Sequence, residues 1–230
     1  MTLSLRFLFV CLLAFSVPLN AYSSTIIHKY LDKLEPLFAN KTILSRGEVC
    51  EILAAHEIGS KFHDIDVLTQ VRYSRASDTR RLLGELDLVV LERGSSQIIG
   101  VGEVKCSRDL KRASVRANTQ LGRIRDSVKK ILHALAEASY RNFRWETATV
   151  AEVEVVSGYS FFHLTPSIPE STKLNFSPSI NFFKVSQKAS DASLQGFTEL
   201  ELTLPEIDEL VAKLAIRLRS NGARQVRVTF

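Results

Sequence analysis

The sequence predicts an α/β fold: a mixed β-sheet flanked by helices. Three observations lead there. Two helical stretches precede the first strand-like run, two strongly apolar runs form a hairpin near the middle of the chain, and a long amphipathic helix then separates that hairpin from further strands. Helices followed by strands, with a central hairpin and a crossover helix, place both kinds of strand pairing in one sheet.

Taken in order, residues 25–40 carry apolar side chains near helical spacing (Ile27, Tyr30, Leu31, Leu34, Leu37) and read as a helix with Pro36 late in it. A second helix runs from about Gly47 to Ile58 and ends at Gly59. "DIDVLTQVRYS" is rich in β-formers and reads as a strand, and the polar "RASDTRR" reads as a loop. The runs 85–92 and 98–105 are the hairpin, with "RGSSQ" (93–97) connecting them. Residues 117–139 form a long helix with Leu121, Ile124, Val128, Ile131, Leu132 and Leu135 on one face. Strand character returns in "TATVAEVEVVSGYSFFHL". Residues 165–196 are rich in Ser, Pro and Asn and read as an excursion from the core, with a short strand at "NFFKV". "FTELELTL" alternates as a strand. Thr203 and Glu206 then stand at capping-box spacing before a helix lined by Ile207, Leu210, Val211, Leu214 and Leu218, and "QVRVTF" closes the chain as a strand.

The chain has 230 residues, of which 45% are hydrophobic and 24% charged, enough for a sizeable core in one domain. Its first 21 residues have the layout of a secretory signal peptide: Arg6, an apolar run from Phe7 to about Val17, then Pro18 and the small Ala21. That run falls short of the roughly 20 apolar residues that a membrane span needs. The expected organisation is a signal peptide at 1–21, a core at 22–160, and a C-terminal extension at 161–230 completing the same domain. Export is therefore expected, periplasmic or secreted, with no stable membrane insertion after cleavage. Beyond the leader, Cys50 and Cys106 are left, free to pair or to stand as two small buried thiols.

The hairpin carries charge that buried strands ordinarily avoid. In "GELDLVV" stand Glu85 and Asp87, and in "GEVKC" stand Glu103 and Lys105. Side chains alternate along a strand, so Glu103 and Lys105 share one face and Val104 takes the other. With 93–97 as the connection, Glu92 faces Ile98, which puts Asp87 opposite Glu103 and Glu85 opposite Lys105. Two carboxylates that close repel unless one is protonated or a cation sits between them. A hard divalent cation such as Mg²⁺ suits an all-oxygen pair, and Lys105 beside it can orient or deprotonate a water and stabilise charge on a phosphate. The bland alternative is ion pairing at a strand end, between Glu85 and Lys105 and between Asp87 and an arginine.

Asp87, followed sixteen residues later by Glu103 and then Lys105, resembles the D…(D/E)-x-K signature of the PD-(D/E)xK nuclease superfamily, which includes restriction-endonuclease-like enzymes and Holliday-junction resolvases. Gly47, Glu51 and Ala54 match a G-x-x-x-E-x-x-A helix pattern common in that superfamily, and "GELDLVV" resembles the first strand of resolvase-like members. Gln120 is a candidate for the glutamine that many members carry on the following helix, although Ile124 stands where a tyrosine would follow; Leu86 replaces the eponymous proline. The resemblance covers roughly residues 45–140. It implies a restriction-endonuclease-like core. It also implies Mg²⁺ or Mn²⁺ held by Asp87, Glu103 and the Val104 backbone carbonyl, with Lys105 positioning the attacking water and Glu51 contributing directly or through the outer shell.

Two basic clusters flank this group. Between Arg108 and Lys130 lie eight Lys or Arg against two Asp, and Arg72, Arg75, Arg80 and Arg81 precede Asp87. A phosphodiesterase needs cations that hold the backbone while the metal sits at the scissile phosphate. The expected nucleic-acid contacts are Arg108, Lys111, Arg112, Arg116, Gln120, Arg123, Arg80 and Arg81, with DNA the expected partner ahead of RNA. A homodimer is compatible with the sequence, which does not set the oligomeric state. The rival expectation is an inactive nucleic-acid-binding or interaction protein that keeps the fold. His56, His63 and His133 belong to no metal-ligand spacing, and no P-loop, dinucleotide fingerprint or nucleophile elbow is present.

Overall fold

A computed structural model describes residues 19–75, 78–95, 97–139, 159–162, 175–189, 194, 196–222 and 226–230. The proposed leader up to residue 18 and the run 140–158 lie outside them. The chain divides into two compact units, Gly47–Leu204 and the flanking residues up to Arg46 with Pro205–Phe230.

The larger unit is a mixed α/β layer structure. Helix α2 (Arg46–Lys61) leads into β2 (Ile65–Arg75), β3 (Asp78–Glu92) and β4 (Gln97–Lys105). Helix α3 (Leu110–Ser139) crosses to β5 (Tyr159–Phe162), β6 (Asn175–Lys188) and β7 (Phe197–Thr203). The six strands lie in the order β5-β2-β3-β4-β6-β7. From β5 to β4 the pairings are antiparallel, and from β4 through β6 to β7 they are parallel.

Helix α3 earns its place by burying one stripe. Ala113, Ala117, Leu121, Ile124 and Val128 are buried, and the last three join a cluster with Leu68, Val71, Leu86, Val89, Leu91, Ile98, Val101 and Phe176. Each large aliphatic side chain removed from water contributes about 1.5–3 kcal/mol, so this stripe and not helix propensity holds α3 on the sheet. The helix starts seven residues before the expected 117 because Asp109 caps it. The Asp109 carboxylate accepts the Arg112 backbone N–H at 2.9 Å, and the Asp109 carbonyl accepts that of Ala113 at 3.0 Å.

Several expectations are corrected. "RASDTRR" is no simple loop, since β3 begins at Asp78 and pairs with β2 along a long hairpin. The β3–β4 connection is a residue shorter than 93–97: Gln97 is in β4 and Leu91 faces Ile98. Ser95 N–H closes that turn on the Glu92 carbonyl, with Gly94 at φ 76°. Helix α2 runs through Gly59 to Lys61. The expected short strand at "NFFKV" lies within β6, inside the sheet, so the Ser, Pro and Asn-rich stretch is not an excursion over 175–188. Its strand signal is masked by an irregularity at Pro178, because Ile98 faces Phe176 while Gly100 already faces Asn181.

The smaller unit holds α1 (Leu19–Phe38), β1 (Ile43–Ser45), nearly all of α4 (Leu204–Ser220) and β8 (Arg227–Thr229), with β1 and β8 paired in parallel. Arg217 of α4 reaches both Asp32 and Glu35 of α1, and Arg46 pairs with Asp208 at 3.0 Å. The expected Leu37 is exposed on α1, whereas Ile27, Tyr30, Leu31, Leu34 and Phe38 are buried. No helix among the described residues is long and apolar enough to cross a membrane.

Candidate functional site

Strand β4 carries Val101, Glu103 and Lys105 on one face by alternation, the face on which Val101 joins the α3 core. The opposite face of β4 is shaped by Gly100 and Gly102. A Cβ on Gly102 would lie 2.5 Å from the Phe183 ring of β6, so glycine is what lets that ring lie flat on the strand. This packing fixes β4 from behind, and the charged residues project from the other side.

The register around Asp87 follows the expected frame without a ladder pair. Leu88 faces Gly102 and Val89 faces Val101, so Asp87 comes beside Glu103 in line, but the β3–β4 pairing stops at Leu88. Past that point the Val104 N–H donates to Asp87 Oδ2 at 2.9 Å. On the other side of β3 the pairing also skips Asp87. Thr69 faces Leu88 and Val71 faces Leu86, and the Gln70–Asp87 pair between them is missing. Asp87 thus stands where β3 parts from β4 and where its pairing with β2 skips one position.

Lys105 Nζ donates to Asp87 Oδ2 at 3.0 Å and to Glu103 Oε2 at 2.8 Å. The cation expected between the two carboxylates is here the lysine ammonium. It bonds Asp87 and Glu103 together. Glu103 is fully buried and its Oε1 has no hydrogen-bond partner. Burial, with the charge of Asp87 added, raises its pKa from 4.5 to about 8 against the pull of Lys105. Burial would lower the Lys105 pKa, but the Asp87 and Glu103 carboxylates outweigh it and hold the ammonium above its ordinary value. A lysine so held stays charged beside the two carboxylates in this arrangement.

Glu51, from α2, belongs to the same group. It lies within electrostatic reach of Asp87, Glu85 and Lys105, and burial followed by the Asp87 and Glu85 charges raises its pKa from 4.5 to about 8. Its Oε2 is buried without a partner. The helix is tied to the end of β4: Cys50, next to Glu51, forms a disulfide with Cys106, next to Lys105, with the Cα atoms 6.5 Å apart. Of the two readings left open for these cysteines, pairing is the one observed.

Among the described residues, no group of three or more His, Cys, Asp or Glu stands ready as a metal cage. The donor chemistry nevertheless suits a hard divalent cation: Asp87 interacts with both Glu51 and Glu103, and each glutamate keeps a buried oxygen with no hydrogen-bond partner. Glu51, Asp87 and Glu103 could hold such an ion. Val104 contributes its N–H to Asp87, which ties the carboxylate to the end of β4.

The expected phosphate contacts divide. Arg108, Lys111, Arg112, Arg116 and Arg123 are exposed at the start of α3 and along it, and Gln120 is half-buried. The side chains of Arg72, Arg75, Arg80, Arg81, Lys129 and Lys130 lie outside the described residues. Gln70 was missed from sequence. Its signal was faint: Leu68 and Val71 are both apolar but three residues apart, which breaks the period of two.

The chain matches no protein-family model, no curated protein and no solved structure. The fold and site are therefore read from this chain's own residues: a mixed α/β protein whose central strands present a buried carboxylate–lysine group.

Proposed function

We propose that this protein is an exported, metal-dependent nuclease with a restriction-endonuclease-like core, hydrolysing phosphodiester bonds of DNA ahead of RNA. The observation that carries the reading is the convergence of Glu51, Asp87, Glu103 and Lys105, with buried oxygens of both glutamates left without partners. Glu51, Asp87 and Glu103 would hold Mg²⁺ or Mn²⁺, which when bound supplies a Lewis acid and a more acidic water. Lys105 would position the attacking water and stabilise charge gathering on the phosphate oxygens. Arg108, Lys111, Arg112 and Arg116 hold the nucleic-acid backbone beside the site, which begins the same stretch of chain. The Cys50–Cys106 disulfide supports export, because disulfides persist in oxidising compartments.

The test is cleavage of linear, circular and branched DNA in Mg²⁺, Mn²⁺ or EDTA, with Lys105→Ala in parallel. Metal-dependent cleavage lost in the variant is the expected result. A second reading, a nucleic-acid-binding protein without turnover, is favoured by one observation: the Lys105 ammonium already bridges Asp87 and Glu103. Salt-sensitive DNA binding with no cleavage in any metal would establish that reading over the first.

A further inference from the structure

Gln70 is the single non-glycine residue with positive φ among the described residues, at 56°. That conformation costs an L-residue free energy, and it persists only where surrounding structure enforces it. It sits in the middle of β2, where regular strand geometry would be cheaper. Across from it the β2–β3 pairing omits Asp87, while the pairs on either side stay in register. Leu68 and Val71 both enter the core cluster although three residues apart, and so do Leu86 and Val89 opposite them. The alternation is interrupted in both strands at the Gln70–Asp87 position. The Gln70 side chain hydrogen-bonds the Glu51 carboxyl group. The oxygen of Glu51 that remains without a partner is Oε2.

We propose that Gln70 is a positioning residue of this site: its left-handed backbone aims the side-chain amide at Glu51, so that one carboxyl oxygen is tied and Oε2 is presented toward Asp87 for a cation. The inference rests on the metal-site reading above and deepens it. A regular β2 would send residue 70 along the pleat, and Glu51 would have no fixed rotamer in a pocket of like charges. Gln70 fixes that carboxyl without adding charge, as an outer partner of a metal ligand does.

The test is Mn²⁺ binding by calorimetry to the full chain carrying Gln70→Gly, Glu51→Ala, or both. Glycine accepts φ 56° freely, so the backbone is kept while the amide is removed. Gln70→Gly is expected to weaken Mn²⁺ binding by about 10–100-fold, with no further loss when added to Glu51→Ala. Wild-type affinity in Gln70→Gly, or an equal loss on the Glu51→Ala background, overturns the proposal. Should the wild type bind no Mn²⁺, the metal reading fails on its own, and metal-free unfolding equilibria of the same four proteins decide the positioning role. A departure of about five-fold or more from multiplicative effects supports a Gln70–Glu51 couple, and multiplicative effects refute it.

Discussion

Raising the pH should change this site more than any substitution. Burial raises the pKa values of Glu51 and Glu103 to about 8 in the fold from the ordinary 4.5. A carboxyl whose pKa is raised by folding costs nothing below the unfolded value, and it destabilises the fold progressively as pH climbs through the folded value. The gap between 4.5 and 8 corresponds to at most about 5 kcal/mol for each group, and the two are not additive because both respond to Asp87. A divalent cation bound to the same oxygens must displace their protons. About two protons should therefore leave per metal at pH 6–7 and well under one at pH 9, and affinity should rise by up to ~100-fold between pH 6 and 7. Mn²⁺ titrations in buffers of different ionisation enthalpy count the protons directly, and denaturant midpoints at pH 5, 7 and 9, with and without metal, read the stability. The metal-free midpoint should fall with pH and the metal should restore it increasingly. Tight Mn²⁺ binding at pH 7 with no proton release would refute the burial argument, because it would mean both glutamates are already ionised.

The other expectations concern the frame around the site. Replacing Cys50 and Cys106 by Ser removes a cross-link spanning 56 residues, for which loop entropy implies a loss of about 4 kcal/mol; the Mn²⁺ affinity should fall as well, since α2 carries Glu51, and an unchanged affinity would show that packing alone places that helix. Arg112→Ala with Arg116→Ala should reduce the salt slope of DNA binding by about one per lost phosphate contact, equally across sequences. A slope that does not move would assign those exposed arginines to solvent. Gly102→Ala pushes a methyl group into the Phe183 ring, and about 1–3 kcal/mol of destabilisation follows if the ring cannot swing away; an unchanged melting temperature would show that it can.

Local chemistry carried a good part of this structure. The alternation in "GELDLVV" and "GVGEVK" was enough to bring Asp87, Glu103 and Lys105 to one place, because a strand has a period of two and a short connection leaves little choice of register. The amphipathic stripes of α3 and α4 were equally plain, since burial of one face is what makes either helix stable. Only the "NFFKV" part of β6 is legible locally, because its ladder with β4 is irregular between Phe176 and Asn181, and the cap at Asp109 precedes the apolar stripe. Three features lay beyond any local pattern. Lys105 bridges Asp87 and Glu103, Cys50 meets Cys106 beside Glu51, and Gln70 turns left-handed opposite Asp87. Each depends on residues far apart in the chain meeting in a low-dielectric place, where the charge, the cross-link or the strained dihedral is stable only because the neighbours have already been brought there.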